Sequence, residues 1–220
     1  MSQSVHTLDI LVANVTQNAY TPRTLESPTM ARPSRNEPAD SPRLIGLTEF
    51  EQMPEEDAYR LELVRGMVVR EPWPAQLHGR VQVRLSHHLE LWSQGRGLGV
   101  VLTDAGFVLQ EAPPTLRIPD VAWVARERIP ATGYASSCWH VAPDLCVEIL
   151  SPHDRAGSVR DKVQEYLDAG SRMVWVVDPQ SRIVHVHYPS SSYLVAADGI
   201  LEGGDVLPGF RLPLTTLFTL

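Results

Sequence analysis

The sequence predicts a single α/β domain of the α+β kind, in which a mixed, curved β-sheet is flanked by helices. Three observations carry this. The element order reads hairpin, helix, several strands, helix, hairpin, without the strict βαβ alternation of a doubly wound fold. Leu145 to Leu150 is almost continuously apolar, the mark of a strand buried on both faces. Between Ala75 and Trp92 the apolar period changes from that of a strand to that of a helix.

Composition agrees with one such domain. The chain has 220 residues, 43% of them apolar, enough for a core that needs no covalent staples. Cys138 and Cys146 have no CxxC spacing and no partner cysteines. They read as buried or half-buried thiols of a reducing compartment, and four-ligand zinc is out of reach. No apolar run approaches the roughly 18 residues that cross a bilayer. The first Arg or Lys is Arg23, so the start lacks the charged front of a secretory signal, and a cytoplasmic protein with no membrane partner is expected. The net charge of −7 argues against tight, general DNA binding but leaves room for a locally basic cleft. Eighteen of the nineteen basic side chains are arginine, and Lys162 is the one lysine. Arginine replaces lysine readily on a surface but not where a compact ammonium is required. Lys162 is therefore a candidate for chemistry, with a last surface lysine as the plain alternative.

The elements follow in order. Residues 1–43 are rich in Ser, Thr, Pro, Asn and Arg without apolar periodicity and read as a disordered leader; the domain occupies 44–220. Thr48 and Glu51 have capping-box spacing for a short helix. Arg60 to Arg70 forms a hairpin turning at Arg65-Gly66. Leu77, Val81, Leu85, His88, Leu89 and Trp92 share one helical face, which Gly95 and Gly97 end; His78 lies at its edge and His87 off it. Strands are expected at Gly99–Thr103, Gly106–Leu109, Leu116–Val124 and Leu145–Leu150. Ser158 with Asp161 caps a second helix, whose apolar face is Val159, Val163, Tyr166 and Leu167 and whose stop is Gly170. A second hairpin, Met173–Val177 and Ile183–Tyr188, turns at an Asp178-Pro179 pair. Trp92, Trp123 and Trp175 belong to the core or to a subunit interface.

Two carboxylates stand where a bland protein would carry Thr or Val. Asp120 follows Pro119 inside an apolar run, and Glu148 is the only charge between Leu145 and Leu150. An unpaired buried charge costs several kcal/mol, so a cation, a metal or a raised pKa must offset each. Lys162 flanks the apolar face of its helix and can lean over the sheet edge toward Glu148, while Asp161, Glu165 and Asp168 point to the opposite side, into solvent. Two carboxylates and a lysine suit a Mg²⁺ site that polarises a phosphate and activates water. A buried Glu148–Lys162 salt bridge, with Asp120 in a turn, is the alternative. No P-loop, GxGxxG or GxSxG is present to support nucleotide hydrolysis, a dehydrogenase or a serine esterase.

Tyr59 to Gly66, His78, Pro119-Asp120, Val147 to Pro152, Asp161 to Tyr166, Gly170 and Trp175 to Pro179 form an ordered set of motifs. That set resembles the Uma-type family of restriction endonucleases, within the PD-(D/E)XK nuclease superfamily. It spans about residues 44–218. The resemblance implies a restriction-endonuclease-like core and a Mg²⁺-dependent endonuclease (Mn²⁺ substituting) acting on nucleic acid, with DNA first. It implies Asp120 and Glu148 as metal ligands and Lys162 as the catalytic lysine, with Glu62 and His78 beside them, and suggests a homodimer by analogy. One departure stands out: the superfamily's lysine two positions after the glutamate is Leu150 here, so Lys162 would supply the amine from the helix. A catalytically inactive nucleic-acid-binding or regulatory module is the rival reading, and a domain whose polar trio is only an ion-pair network is the third.

Overall fold

The computed structural model describes residues 43–134, 138–152 and 154–219; the expected leader, Arg43 apart, lies outside the described residues. A short helix, α1 (Leu47–Glu51), precedes the hairpin of β1 (Tyr59–Val64) and β2 (Met67–Pro72), and α2 (Gln76–Gln94) follows. Next come β3 (Gly99–Thr103), β4 (Phe107–Glu111), β5 (Pro114–Arg117), β6 (Val121–Ala125) and β7 (Leu145–Ile149). After α3 (Ala156–Asp168) the chain forms β8 (Met173–Asp178), β9 (Ile183–Tyr188), β10 (Ser191–Val195), β11 (Ile200–Glu202), β12 (Arg211–Pro213) and α4 (Leu214–Leu217).

Six strands pair in the order β10-β9-β8-β7-β6-β3, and a second sheet runs β2-β1-β5-β4. In the larger sheet β7 and β8 are parallel, while β6 is antiparallel to β7 and β9 to β8, so the sheet is mixed as expected. Side chains alternate across it. Leu145, Val147 and Ile149 of β7 join Trp123, Trp175, Val81, Leu85, Leu89 and Trp92 in the main core, which the segment from Leu201 to Phe218 also covers. Trp92, Trp123 and Trp175 are thus core residues. Helix α2 has no side-chain N-cap. Its buried face, at about 1.5–3 kcal/mol per large apolar side chain, far outweighs the roughly 1 kcal/mol a cap adds.

The opposite face positions the site. Cys146 and Val174 pack there against Val163 and Tyr166 of α3, and Glu148 points the same way by alternation. Both cysteines are free thiols whose pKa burial pushes up.

Three expectations change. The run Leu116–Val124 is two strands in two sheets, β5 and β6, separated at Ile118-Pro119-Asp120. Pro119 has no N–H to give a ladder and favours an extended residue before it, so the chain turns a corner there. Helix α3 starts at Ala156, so Ser158 lies in its first turn rather than capping it. The preceding loop sets the start: Ser151 N–H donates to Asp154 Oδ2 at 2.7 Å and Asp154 N–H to the Ser151 carbonyl at 3.0 Å. Thr48 likewise sits inside α1, whose N-cap is Gly46. The β1–β2 turn holds as read, with φ of 50° at Arg65 and 81° at Gly66, the two positive values a tight hairpin needs.

Candidate active site

The corner between the sheets delivers Asp120 to the end of β7. The β6–β7 pairing stops at Val121 opposite Val147, and beyond it the Ile149 N–H donates to Asp120 Oδ2 at 2.7 Å. The other oxygen, Oδ1, lies 3.3 Å from His78 Nε2 and 3.5 Å from Arg60 Nη2. Glu148 is handled in the same way: Tyr166 donates its hydroxyl to Oε1 at 2.7 Å, and Oε2 stands 3.5 Å from Lys162 Nζ. Each buried carboxylate has one oxygen tied to the scaffold and the other beside a cation or an imidazole.

Electrostatics separates the two acids. Burial alone would raise Asp120, but His78, the Ile149 N–H and Arg60 together hold its carboxyl below the usual range. Burial pushes Glu148 up to about 7; the charges of Asp120 and Glu62 add to that, while Lys162 and the Tyr166 hydroxyl oppose it. Glu148 is therefore the acid with most to gain from an added cation.

Lys162 is buried and stands 3.5 Å from each of three carboxylates, Glu62 Oε2, Glu71 Oε1 and Glu148 Oε2. Burial would lower its pKa, but Glu148, Glu62 and Glu71 outweigh this, so it stays protonated. Behind it, Glu62 accepts from Arg117 Nη1 at 2.7 Å and from the Ile118 N–H at 3.0 Å. Burial would raise Glu62, yet Lys162 and Arg117 hold it below the usual range. Arg117 in turn pairs with Glu165 at 2.7 Å. Glu165 was expected in solvent; the buried guanidinium draws it inward instead.

A cleft of about 280 Å³ opens onto these groups. Among the described residues four acids (Glu71, Asp120, Glu148, Asp154) line it against two permanent cations, Arg60 and Lys162, with His78, Ser151 and Pro152 at its wall. Such a surplus of carboxylate favours a cation. Among the described residues no three His, Cys, Asp or Glu side chains are grouped to hold a metal by themselves. Mg²⁺ needs no such cage, since one or two carboxylates with waters and a substrate phosphate suffice. Among the described residues His78 Nε2 is buried without a hydrogen-bond partner, its approach to Asp120 lacking the alignment of a hydrogen bond. An orphaned ring nitrogen beside a carboxylate suits a metal or a metal-bound water. The residues present fit a divalent ion.

Of the residues singled out from sequence, Asp120, Glu148, Lys162 and His78 meet at this cleft. Glu62 is fully buried and touches Lys162 from behind without lining the cleft wall. Two neighbouring arginines stay away from the cleft: Arg172 stands at the far end of β7, 3.8 Å from the buried Asp144, and Arg160 lines a separate cleft beside β9 and β10. Sequence reasoning passed over Arg60, Glu71 and Arg117. The hairpin register held the signal for two of them: a turn at Arg65-Gly66 pairs Arg60 with Glu71, on the face that alternation also assigns to Glu62. Arg117, a charge inside Leu116-Arg117-Ile118, carried the same mark as Glu148.

Among the described residues no helix is long and apolar enough to cross a membrane. No curated protein matches the chain. Among solved structures it is similar to the crystal structure of a putative nuclease of the DUF820 family from Anabaena variabilis ATCC 29413, with 22% identity and a TM-score of 0.71 over 79% of this chain and 97% of that one. That likeness is one of fold. The model of the Uma2 family, described as "putative restriction endonuclease", matches residues 47–215 of the 220, and the chain belongs to that family.

Proposed function

We propose that the chain is a Mg²⁺-dependent endonuclease (Mn²⁺ substituting) that hydrolyses phosphodiester bonds in nucleic acid, with DNA as the first substrate to test. The observation that carries the reading is the pairing of two buried carboxylates, each with one oxygen fixed, with a buried lysine that stays protonated at the same cleft.

Asp120 and Glu148 are the groups that would hold the ion. A divalent ion bound there supplies a polarised phosphate and a water of lowered pKa. Lys162 works as a fixed positive charge rather than a base, and its ammonium offsets charge developing on the phosphoryl oxygens in the transition state. Glu62, tied by Arg117 and the Ile118 N–H, keeps the ammonium in place and acts as a positioning residue. Tyr166 fixes the rotamer of Glu148 through Oε1. His78, whose Nε2 lies beside Asp120 without a hydrogen-bond partner among the described residues, would orient a water or join Asp120 and Glu148 in holding the ion. Leu150, in the superfamily's usual lysine position, packs against the apolar cluster under α3. Lys162 nonetheless reaches Glu148 from the helix, which favours an active site over a binding module.

The test is a cleavage assay on single-stranded DNA, duplex DNA and RNA, with Mg²⁺ or Mn²⁺ and with chelator. Metal-dependent cleavage that Lys162→Ala abolishes is the expected result. Absence of metal-dependent cleavage of every form refutes the reading; binding retained without cleavage, unaffected by Lys162→Ala, points to the inactive module.

A further inference from the structure

Beside the catalytic cleft lies a second, larger one of about 750 Å³, and the two share Arg60 and Trp73 as lining. Trp73 is 58% exposed, unusual for so large an apolar ring on a surface. It is also held still. Its indole N–H donates to the Asp57 carbonyl at 2.9 Å, and it stands between Pro72 and Pro74, whose rings restrict the backbone on both sides. Tyr59, across the hairpin from Pro72 and 41% exposed, extends the aromatic surface along the second cleft.

The charge of this neighbouring cleft is one-sided. Among the described residues Glu51, Glu55, Glu56, Asp57 and Asp104 line it with Arg60 as the one basic lining residue; Arg70 answers Glu56 and Arg60 answers Asp104, which leaves Glu51, Glu55 and Asp57 without an arginine partner there. A sugar–phosphate backbone is repelled by such a wall, and the net charge of −7 gives no general phosphate affinity to offset this. An uncharged nucleobase has the opposite relation to the same wall. Its π-face stacks on an indole, and its amino groups donate to carboxylates. A rigid ring loses little entropy when it is stacked upon.

We infer that Trp73 is a stacking platform for an unpaired nucleobase next to the scissile phosphate, so that the substrate is a single strand, or a duplex with a splayed base, rather than an undistorted duplex. The inference rests on the nuclease reading for the position of the phosphate and adds the form of the strand. Arg60, which pairs with Asp104 at 2.8 Å, lines both clefts as Trp73 does and is the cation available there to the phosphate joining the two positions. Deoxyribose and ribose strands present the same base, and the platform takes either.

The experiment uses the full chain with nuclease-resistant phosphorothioate oligonucleotides, read by fluorescence anisotropy in Mg²⁺. The probes are one single-stranded DNA, its blunt duplex, and RNA of the same sequence. Base stacking on an aromatic ring implies that Trp73→Ala weakens single-strand binding by roughly 5- to 150-fold. Trp73→Phe keeps most of the affinity, and blunt-duplex binding, weaker from the outset, is unchanged by either variant. Equal losses on DNA and RNA strands are expected; a loss confined to one sugar narrows the substrate to it and supports the platform there. Single-strand binding unchanged in Trp73→Ala, tighter binding of the blunt duplex than of the strand, or no binding of any probe by the wild type overturns the inference. Cleavage of unmodified strands separates the two ideas. Trp73-dependent binding without cleavage leaves the platform standing and removes the nuclease, whereas metal-dependent cleavage indifferent to residue 73 does the reverse.

Discussion

Replacing Lys162 by Met keeps the length of the side chain and removes the ammonium that stands 3.5 Å from each of three carboxylates. At that separation and an effective dielectric near 20, a single ion pair is worth about 5 kcal/mol. The three do not add. Arg117 still neutralises Glu62, Glu71 is partly solvated, and Glu148 can take up a proton. What remains is the cost of leaving buried acid without its counter-charge, about 3–5 kcal/mol. In a domain of this size that corresponds to a fall in Tm of roughly 6–20 °C. The pH dependence has a definite sign. Glu148 is already largely protonated below its value of about 7 and is forced to ionise above it, so the loss is larger near pH 8 than near pH 6. Urea unfolding of wild type and Lys162→Met at both pH values measures it. A variant within about 1 kcal/mol of wild type near pH 8 would refute the reasoning, because a buried counter-ion cannot be removed so cheaply.

Other expectations concern the same network. Because the folded pKa of Glu148 is raised, it favours the metal-free fold below its unfolded value near 4.5, and that contribution, on the order of 3 kcal/mol, is lost as pH rises through about 7. Asp120 and Glu62, held low, act oppositely and withdraw stability only as pH falls below the usual carboxylate range. Mn²⁺ should accordingly raise Tm more near pH 8 than near pH 5.5, and equal shifts at the two would remove Glu148 from the metal site. Tyr166→Phe deletes the hydroxyl that fixes Glu148 Oε1; it should cost about 1–3 kcal/mol of stability and weaken Mn²⁺ binding by calorimetry, and an unchanged Kd would deny Tyr166 its positioning role. Arg117→Met strands Glu62 and Glu165 and should destabilise by about 3–5 kcal/mol in chemical unfolding, a figure that a solvent-facing arginine could not reach. Asp144→Asn is the contrasting case: it should lower Tm but leave the Mn²⁺-induced shift of Tm intact, since Asp144 serves Arg128 and the Ala125 N–H.

Asp144 also shows how far the sequence could be read. It precedes the same apolar strand as Glu148 and is equally buried, yet it is answered by arginines at the end of β7 away from the cleft. Lone charges in apolar strands announce that an offset exists; they do not say whether it is a metal or an arginine. Lys162 was legible because helical periodicity fixed its face and because it has no lysine competitor in the chain. Arg60 and Glu71 required carrying the hairpin register through to its pairs, and Arg117 carried the mark of a lone charge in an apolar run without any sign of which acids it answers, since the chain changes sheets at Pro119. That corner was hidden because Leu116–Arg117 and Val121–Val124 are both apolar enough to pass for one strand. The cover that Leu201 to Phe218 lays over α2 was hidden for a different reason, since its short, Gly- and Pro-rich elements carry no period.

The position of a divalent ion tests the site most directly. Crystals soaked in Mn²⁺ and measured at the manganese edge would locate it without reliance on activity. An anomalous peak is expected within coordination distance of Asp120 Oδ1 and Glu148 Oε2, absent from Asp120→Asn crystals soaked in the same way. A peak elsewhere, or a cleft empty of manganese in a protein that still cleaves nucleic acid, would contradict that placement.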